Sequence, residues 1–415
     1  MDAHGFRQNL SKTFASLQIR NFRLFFIGQT ISNTGNWLTN VALTLLVLKL
    51  TGSGFAVGLV AACQFGPILF LSAWAGAISD RSDKRHMLLL TQTLEMSQSI
   101  GLAILAFMPH PPLVGLYILA IIGGSVLAFD NPLRRSFVSE MVPSENIPNA
   151  VVLYSTIVNL SRIFGPALAG LLIITLGYGW GFSIDAATYL VVLFCLAIMR
   201  PAELYRQPPR PKSKGEVVAG FRYILSIPSL LISFIMLAVI GMFSYNFNIT
   251  LPLFVTKSLH SSTGTFTILY SIFSLGAVVS GLIVAHRHLV EIRHVILGAG
   301  LLGLGMIFLA ITPNVILAAL MVFLVGMASV LYMTSSTALA QVDAKREMHG
   351  RVLALQMVLI GGTSIVGGPV SGWLADLLGG RAPIFLGGII ALLTCAYGFF
   401  ATHHPKPLVQ SVITS

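Results

Sequence analysis

Five ionisable side chains stand inside long apolar runs of this sequence: Glu95, Asp130, Arg162, Asp185 and Asp376. A charge at the centre of a membrane helix costs about 2.5–3.5 kcal/mol on insertion scales, so such residues are kept for a use or for a partner. Asp130 has Arg134 four residues on, one helical turn away, and Arg162 follows on the next apolar run, in position to face it. Burial favours the neutral carboxylic acid and a nearby guanidinium favours the carboxylate. Asp130 and Glu95 can therefore exchange a proton as substrate or proton tips that balance. Arg162 offers a charge that a carboxylate or an anionic substrate can use. Glu95, Asp130, Arg134 and Arg162 are the coupling candidates; the alternative is a static buried ion pair that fixes helix packing. Asp185 and Asp376, nearer helix ends, read either as interfacial or as part of the coupling.

A second pattern is uncharged. Gln29, Asn33, Asn36 and Asn40 follow at spacings of 4, 3 and 4, one continuous stripe of amides on a helix. Such a stripe is unsuited to lipid, so it lines an aqueous cavity, the favoured reading, or bonds to other helices. Tyr245 and Asn248, one turn apart, and Gln356 extend the same reading. If these groups line a cavity, it is mostly uncharged and apolar and suits a bulky amphipathic solute.

The elements that must position these groups are membrane helices. Of the 415 residues 55% are hydrophobic and only 9% charged, against roughly 25% charged in a soluble domain. Apolar runs of about 20 residues, the length that spans a bilayer, recur along the whole chain. Punctuation by charge, Gly and Pro predicts helices over 22–48, 55–78, 87–108, 113–138, 149–176 and 181–199, then 229–256, 265–285, 293–311, 314–340, 350–377 and 383–402. This is an all-α integral membrane protein with about 12 transmembrane helices. The segments are a 1–21 N-terminal stretch, a 22–200 six-helix bundle, a 201–228 linker, a 229–402 six-helix bundle and a 403–415 tail. The linker holds Pro208, Pro209 and Pro211 among basic residues and then an amphipathic stretch from Glu216 to Tyr223.

The formal charge of +11 gains its meaning from its position. Twenty-one of the 25 Lys and Arg fall on one side of this topology, Lys49, Lys257 and Arg381 on the other, and Arg162 within a helix. Cytoplasmic loops accumulate Lys and Arg, so both termini and the linker are expected in the cytoplasm and a nucleic-acid partner is not implied. Cys63, Cys195 and Cys395 lie far apart in apolar runs and suggest neither disulfide nor zinc. No cleavage-site pattern follows the first apolar run. Gly298, Gly300 and Gly303 fit a dinucleotide pattern by letter but lack a preceding strand, and no phosphate-binding loop motif occurs. His286, His288, His294, His403 and His404 form no convincing metal set, and no cofactor or metal is expected.

The two halves echo each other. Gly165, Pro166, Ala169 and Gly170 in the fifth run match Gly368, Pro369 and Gly372 in the eleventh, and repeated halves around a midplane site are a common transporter plan. Gly165 and Gly170 permit close helix approach, and Pro166 frees a carbonyl at Arg162 and favours a bend.

Between the second and third runs, Gly76, Asp80, Arg81, Lys84 and Arg85 form a G-x-x-x-D-R-x-x-[KR]-[KR] pattern. It resembles the signature loop of the major facilitator superfamily, with Asp83 where that family usually has Gly. The Gly165–Gly170 segment resembles the fifth-helix motif of drug and metabolite antiporters of that superfamily. With Asp130, Pro132 and Glu140 in their context, the chain is similar to the branch of siderophore exporters and macrolide efflux pumps. The resemblance implies two six-helix bundles that rock around a central cavity, with Gly76, Asp80 and Arg81 as a cytoplasmic latch.

Together these readings describe a secondary transporter in a bacterial inner membrane that exports a drug, siderophore or amphipathic metabolite, with protons as coupling ion. An importer or facilitator of the same fold, a channel, and a membrane-embedded lipid-handling enzyme or flippase are the rivals; no nucleophile, base or metal cluster supports the last, so no enzyme is expected. The partners expected are a small-molecule substrate, protons and lipid, with the chain working as a monomer.

Overall fold

The computed structural model describes residues 14–79, 82–205, 216–287, 291–345 and 348–403. Asp80 and Arg81 lie outside the described residues, and so does His288.

The helices are α1 (Arg20–Thr51), α2 (Gly54–Ser79), α3 (Lys84–Phe107), α4 (Leu113–Glu140), α5 (Ile147–Leu176), α6 (Tyr178–Ala197), α7 (Glu216–Ser226), α8 (Pro228–Phe243), α9 (Phe247–Lys257), α10 (Thr263–Arg287), α11 (Ile292–Ile311), α12 (Val315–Asp343), α13 (His349–Leu378) and α14 (Ala382–His403). No strand occurs among the described residues. In lipid every backbone polar group must be satisfied within its own segment, which helices achieve. Among the described residues eleven spans, with α8 and α9 counted as one, are long and apolar enough to cross a membrane. The 32-residue α1 is equally long, but its amides keep it below that apolarity. Apolar side chains such as Ile316, 82% exposed, and Phe70, 75% exposed, face outward, which suits lipid as their surroundings and not water.

Local chemistry explains the ends. Asp83 N-caps α3, its carboxylate accepting from His86 N–H at 3.1 Å. Asn314 caps α12 in the same way, accepting from Leu317 N–H at 2.9 Å. Helices α5 and α13 repeat one design: an internal proline, Pro166 or Pro369, and a terminating glycine, Gly177 or Gly379, at φ 88° and 90°. Only glycine adopts that left-handed backbone without strain.

The chain forms two compact units, one of Met1–Leu46 and Phe70–Pro211, the other of Val47–Leu69 and Lys212–Ser415. The C-terminal end of α1 and most of α2 thus group with the second unit. In the first unit α3 packs along α6 and against α4, over a core of Phe22, Phe25, Leu133, Phe137 and Leu196. In the second, α12 packs along α10 and α11, and α11 along α14. The amphipathic α7 lays Ile224 and Tyr223 beside Leu230, Ala340 and Val352, and the Tyr223 hydroxyl accepts from Lys345 N–H at 2.9 Å.

The helix predicted over 229–256 is broken between α8 and α9. At the break Asn246 Nδ2 takes up the Met242 carbonyl at 2.6 Å, and Ser244 Oγ ties the chain to α14 by donating to the Gly387 carbonyl at 2.8 Å. Hydrophobic periodicity is blind to such a break because both pieces stay apolar.

Candidate functional site

Inside the first unit, Arg134 of α4 gathers the polar groups of three helices. Its Nε pairs with Asp130 on the same helix, and its Nη2 lies 3.1 Å from Glu95 Oε2 of α3. Nη1 donates to Gln29 Oε1 of α1 at 2.7 Å and to Asn33 Oδ1 at 3.4 Å. Asp130 is 0% exposed, and Glu95, Arg134 and Gln29 are buried with it. Gln92 Nε2 donates to Asp130 Oδ1 at 2.8 Å and to Glu95 Oε2 at 3.1 Å, and Thr91 Oγ1 donates to Asp130 Oδ1 at 2.8 Å. Two carboxylates therefore share one guanidinium. With both ionised the set has net charge −1 in a low-dielectric interior; one proton brings it to zero.

Arg162, expected near Asp130, is exposed on α5, and the guanidinium at Asp130 is that of Arg134. Arg134, one of the 21 cations that the topology puts on one side, is itself buried. The amide stripe divides: Gln29 is bound into the ion cluster, Asn33 touches it, and Asn36 and Asn40 bond each other, with Asn40 Nδ2 2.6 Å from Asn36 Oδ1. In the second unit the Tyr245 hydroxyl donates to the Ser329 carbonyl, and exposed Asn248 accepts from Tyr270. Gln356 is buried, its Nε2 3.2 Å from Thr337 Oγ1 and 3.4 Å from Ser336 Oγ.

Of the signature loop, Gly76 lies in the last turn of α2, while Lys84 and Arg85 open α3. Lys84 pairs with Glu140 at the end of α4. Arg85 donates to the carbonyls of Leu196 at 2.8 Å and Ala197 at 2.9 Å, a cation on the negative end of α6. Gly165 lies against Trp37 of α1, where a Cβ would come within 2.5 Å of the Trp37 Cβ. Pro166 and Gly170 are both buried in α5.

Sequence reasoning missed Thr91 and Gln92, and read Glu140 only as part of a family motif. The signal was present in part, since Gln92, Glu95 and Ser99 follow at spacings of 3 and 4 on one face of α3.

Apolar membrane-spanning helices around a buried ion cluster define a helical integral membrane protein. A family model described as transmembrane secretion effector matches residues 11–407, and the chain belongs to that family, within the major facilitator superfamily. The staphyloferrin A transporter of Staphylococcus aureus is 24% identical over 81% of this chain and 85% of its own. The enterobactin exporter EntS of Shigella flexneri is 28% identical, but over 50% of this chain and 51% of its own. Among solved structures, an inward-facing, unoccupied bacterial homolog of the human lysosomal transporter Spinster aligns with TM-score 0.74 at 14% identity over 92% of this chain and 97% of its own. A POT family transporter in complex with 5-aminolevulinic acid gives 0.75 at 14% identity over 92% and 96%. Family and fold make this chain a secondary transporter.

Proposed function

We propose that the chain exports a siderophore or a similar amphipathic metabolite or drug, driven by inward proton movement, by alternating access of two six-helix bundles. The observation that carries this reading is the sharing of Arg134 by Asp130 and Glu95, three buried groups from two helices. With one guanidinium for two carboxylates, the cluster holds one exchangeable proton, and its uptake or loss changes which carboxylate the arginine grips. Each proton entering down a potential of about 100 mV supplies about 2.3 kcal/mol. The outward direction and the substrate class rest on the likeness to the enterobactin exporter and the staphyloferrin A transporter. Asn33, Asn36, Asn40, Tyr245 and Asn248 are proposed to line the solute path, and both termini to lie in the cytoplasm of a bacterial inner membrane. We also take the monomer as the working unit.

Proteoliposomes with an internal pH dye test it, with enterobactin and staphyloferrin A as probes. Either siderophore is expected to trigger proton release in wild type, with the response lost in Asp130→Asn and Glu95→Gln. Transport that persists in both variants without proton movement would replace this reading by facilitated diffusion.

A further inference from the structure

Asp185 is a third acid inside the first unit, and the coupling cluster does not use it. It stands on α6 at 0% exposure. Its carboxylate is held by hydroxyls: Thr39 Oγ1 donates to Oδ2 at 2.5 Å, Ser99 Oγ to the same oxygen at 2.8 Å, and Thr188 Oγ1 lies 3.5 Å from Oδ1. Gly35 closes the cage from α1, since a Cβ there would come within 2.5 Å of Asp185 Oδ1 and 2.4 Å of Thr188 Oγ1. Among the described residues no cation forms an ion pair with Asp185.

Two antiparallel helices join this acid to the cluster. On α3, Glu95 and Ser99 are one turn apart; on α6, Asp185 and Tyr189 are one turn apart, a rise of about 6 Å in each case. Ser99 bonds Asp185, and Tyr189 stands beside Glu95 from the facing helix. Ser99 is thus a rung between the two helices one turn from Glu95, which pairs directly with Arg134. The nearest ionisable groups are Glu95 on α3, one turn from Ser99, and Tyr189, one turn along α6, with Arg134 of α4 further off; α1 presents Thr39 and Gly35.

Charge balance gives this rung a use. Three carboxylates and one guanidinium carry net −2 when all are ionised, and a buried carboxylate without a cation costs several kcal/mol. Hydroxyls hold either form of a carboxyl group, because each can donate or accept.

We propose that Asp185 is a second proton-carrying carboxylate of the transport cycle, its protonation linked to that of Glu95 across the α3–α6 contact that Ser99 makes. This rests on the proton-coupled reading above. Over the cycle Asp185 gives up its proton as Glu95 takes one up, so that an O–H bond at Asp185 breaks and one at Glu95 forms. Asp185 becomes a carboxylate held by Thr39 and Ser99, while Glu95 becomes neutral and loosens from Arg134, which keeps Asp130. No redox change or further reactant is involved.

Infrared difference spectroscopy of the reconstituted full chain, with pH as the only variable, reads this without a substrate. Wild type is expected to show a protonated-carboxyl band that titrates and is lost in Asp185→Asn, returns displaced in Asp185→Glu, and shifts its midpoint in Glu95→Gln. Ser99→Ala, which leaves the acid in place, is expected to shift the midpoint too and guards against a misfolded Asp185→Asn. An unchanged band in Asp185→Asn overturns the proposal. So does a midpoint that moves when sodium replaces choline, which would make the cage an alkali-cation site. Siderophore-triggered proton release separates the two levels. Release lost in Asp130→Asn and Glu95→Gln but intact in Asp185→Asn overturns this proposal alone; release intact in the first two overturns the cluster reading on which it rests.

Discussion

The carboxylate of Asp376, at the end of α13, accepts from the backbone N–H of Gly54, at the start of α2, at 2.6 Å. The same carboxylate takes Phe55 N–H at 3.0 Å and Ser53 Oγ at 2.7 Å and pairs with Lys257 of α9. It is an N-cap supplied in trans, across more than 300 residues of sequence, to the positive end of α2. One turn before it, Gly372 lies so close to Gly54 that a Cβ would come within 1.9 Å of the Gly54 carbonyl oxygen.

Removing that cap should be felt as stability. Loss of an N-cap acceptor costs about 0.5–2 kcal/mol, so Asp376→Ala is expected to lower the unfolding temperature of the detergent-solubilised protein. Lys257→Met, which removes only a partly exposed ion pair, should cost at most about 1 kcal/mol. Equal effects of the two variants in a thermal melt would show that the charge, not the cap, matters.

Arg134→Met should be the most damaging single change in the first unit. It strands Asp130 and Glu95 together in the interior, and breaking a buried pair in this way costs about 3–5 kcal/mol. Adding Asp130→Asn and Glu95→Gln to Arg134→Met removes the stranded charges and is expected to recover much of the loss in the same melt. Arg134→Lys should recover little, since one ammonium cannot reach Asp130, Glu95 and Gln29 as the planar fork does.

Two glycines of α13 should part company. Gly372→Ala forces a methyl into the Gly54 backbone, and overpacking of this kind costs about 1–3 kcal/mol. Gly361, with no atom within 4 Å of an added Cβ, should tolerate alanine and gain up to about 1 kcal/mol of helix propensity. A comparison of expression and melting for the two variants checks this, and a destabilised Gly361→Ala would contradict it.

Much of the helical framework was legible because the bilayer imposes a length and an apolarity that recur run after run. The pairing of Asp130 with Arg134 was legible as well, being an i, i+4 relation within one helix. Glu95 joined them only through the rotation of α3 against α4, which no spacing encodes. Arg162 shows the converse: its place in an apolar run suggested a buried charge, yet the face of α5 that bears it is exposed. The amide stripe on α1 marked a face unsuited to lipid, but gave no sign that Gln29 would end on a guanidinium and Asn36 on Asn40.

By itself, then, the sequence determined a chain of membrane helices with polar stripes and a handful of buried charges, since hydropathy, helical period and glycine or proline punctuation are local quantities. Which charges meet was decided by the tertiary structure alone. Thr39, Ser99 and Asp185 come from three helices, and Asp376 and Gly54 from opposite ends of the chain. Their meeting depends on the depth and rotation of each packed helix, to within the few tenths of an ångström that a hydrogen bond allows.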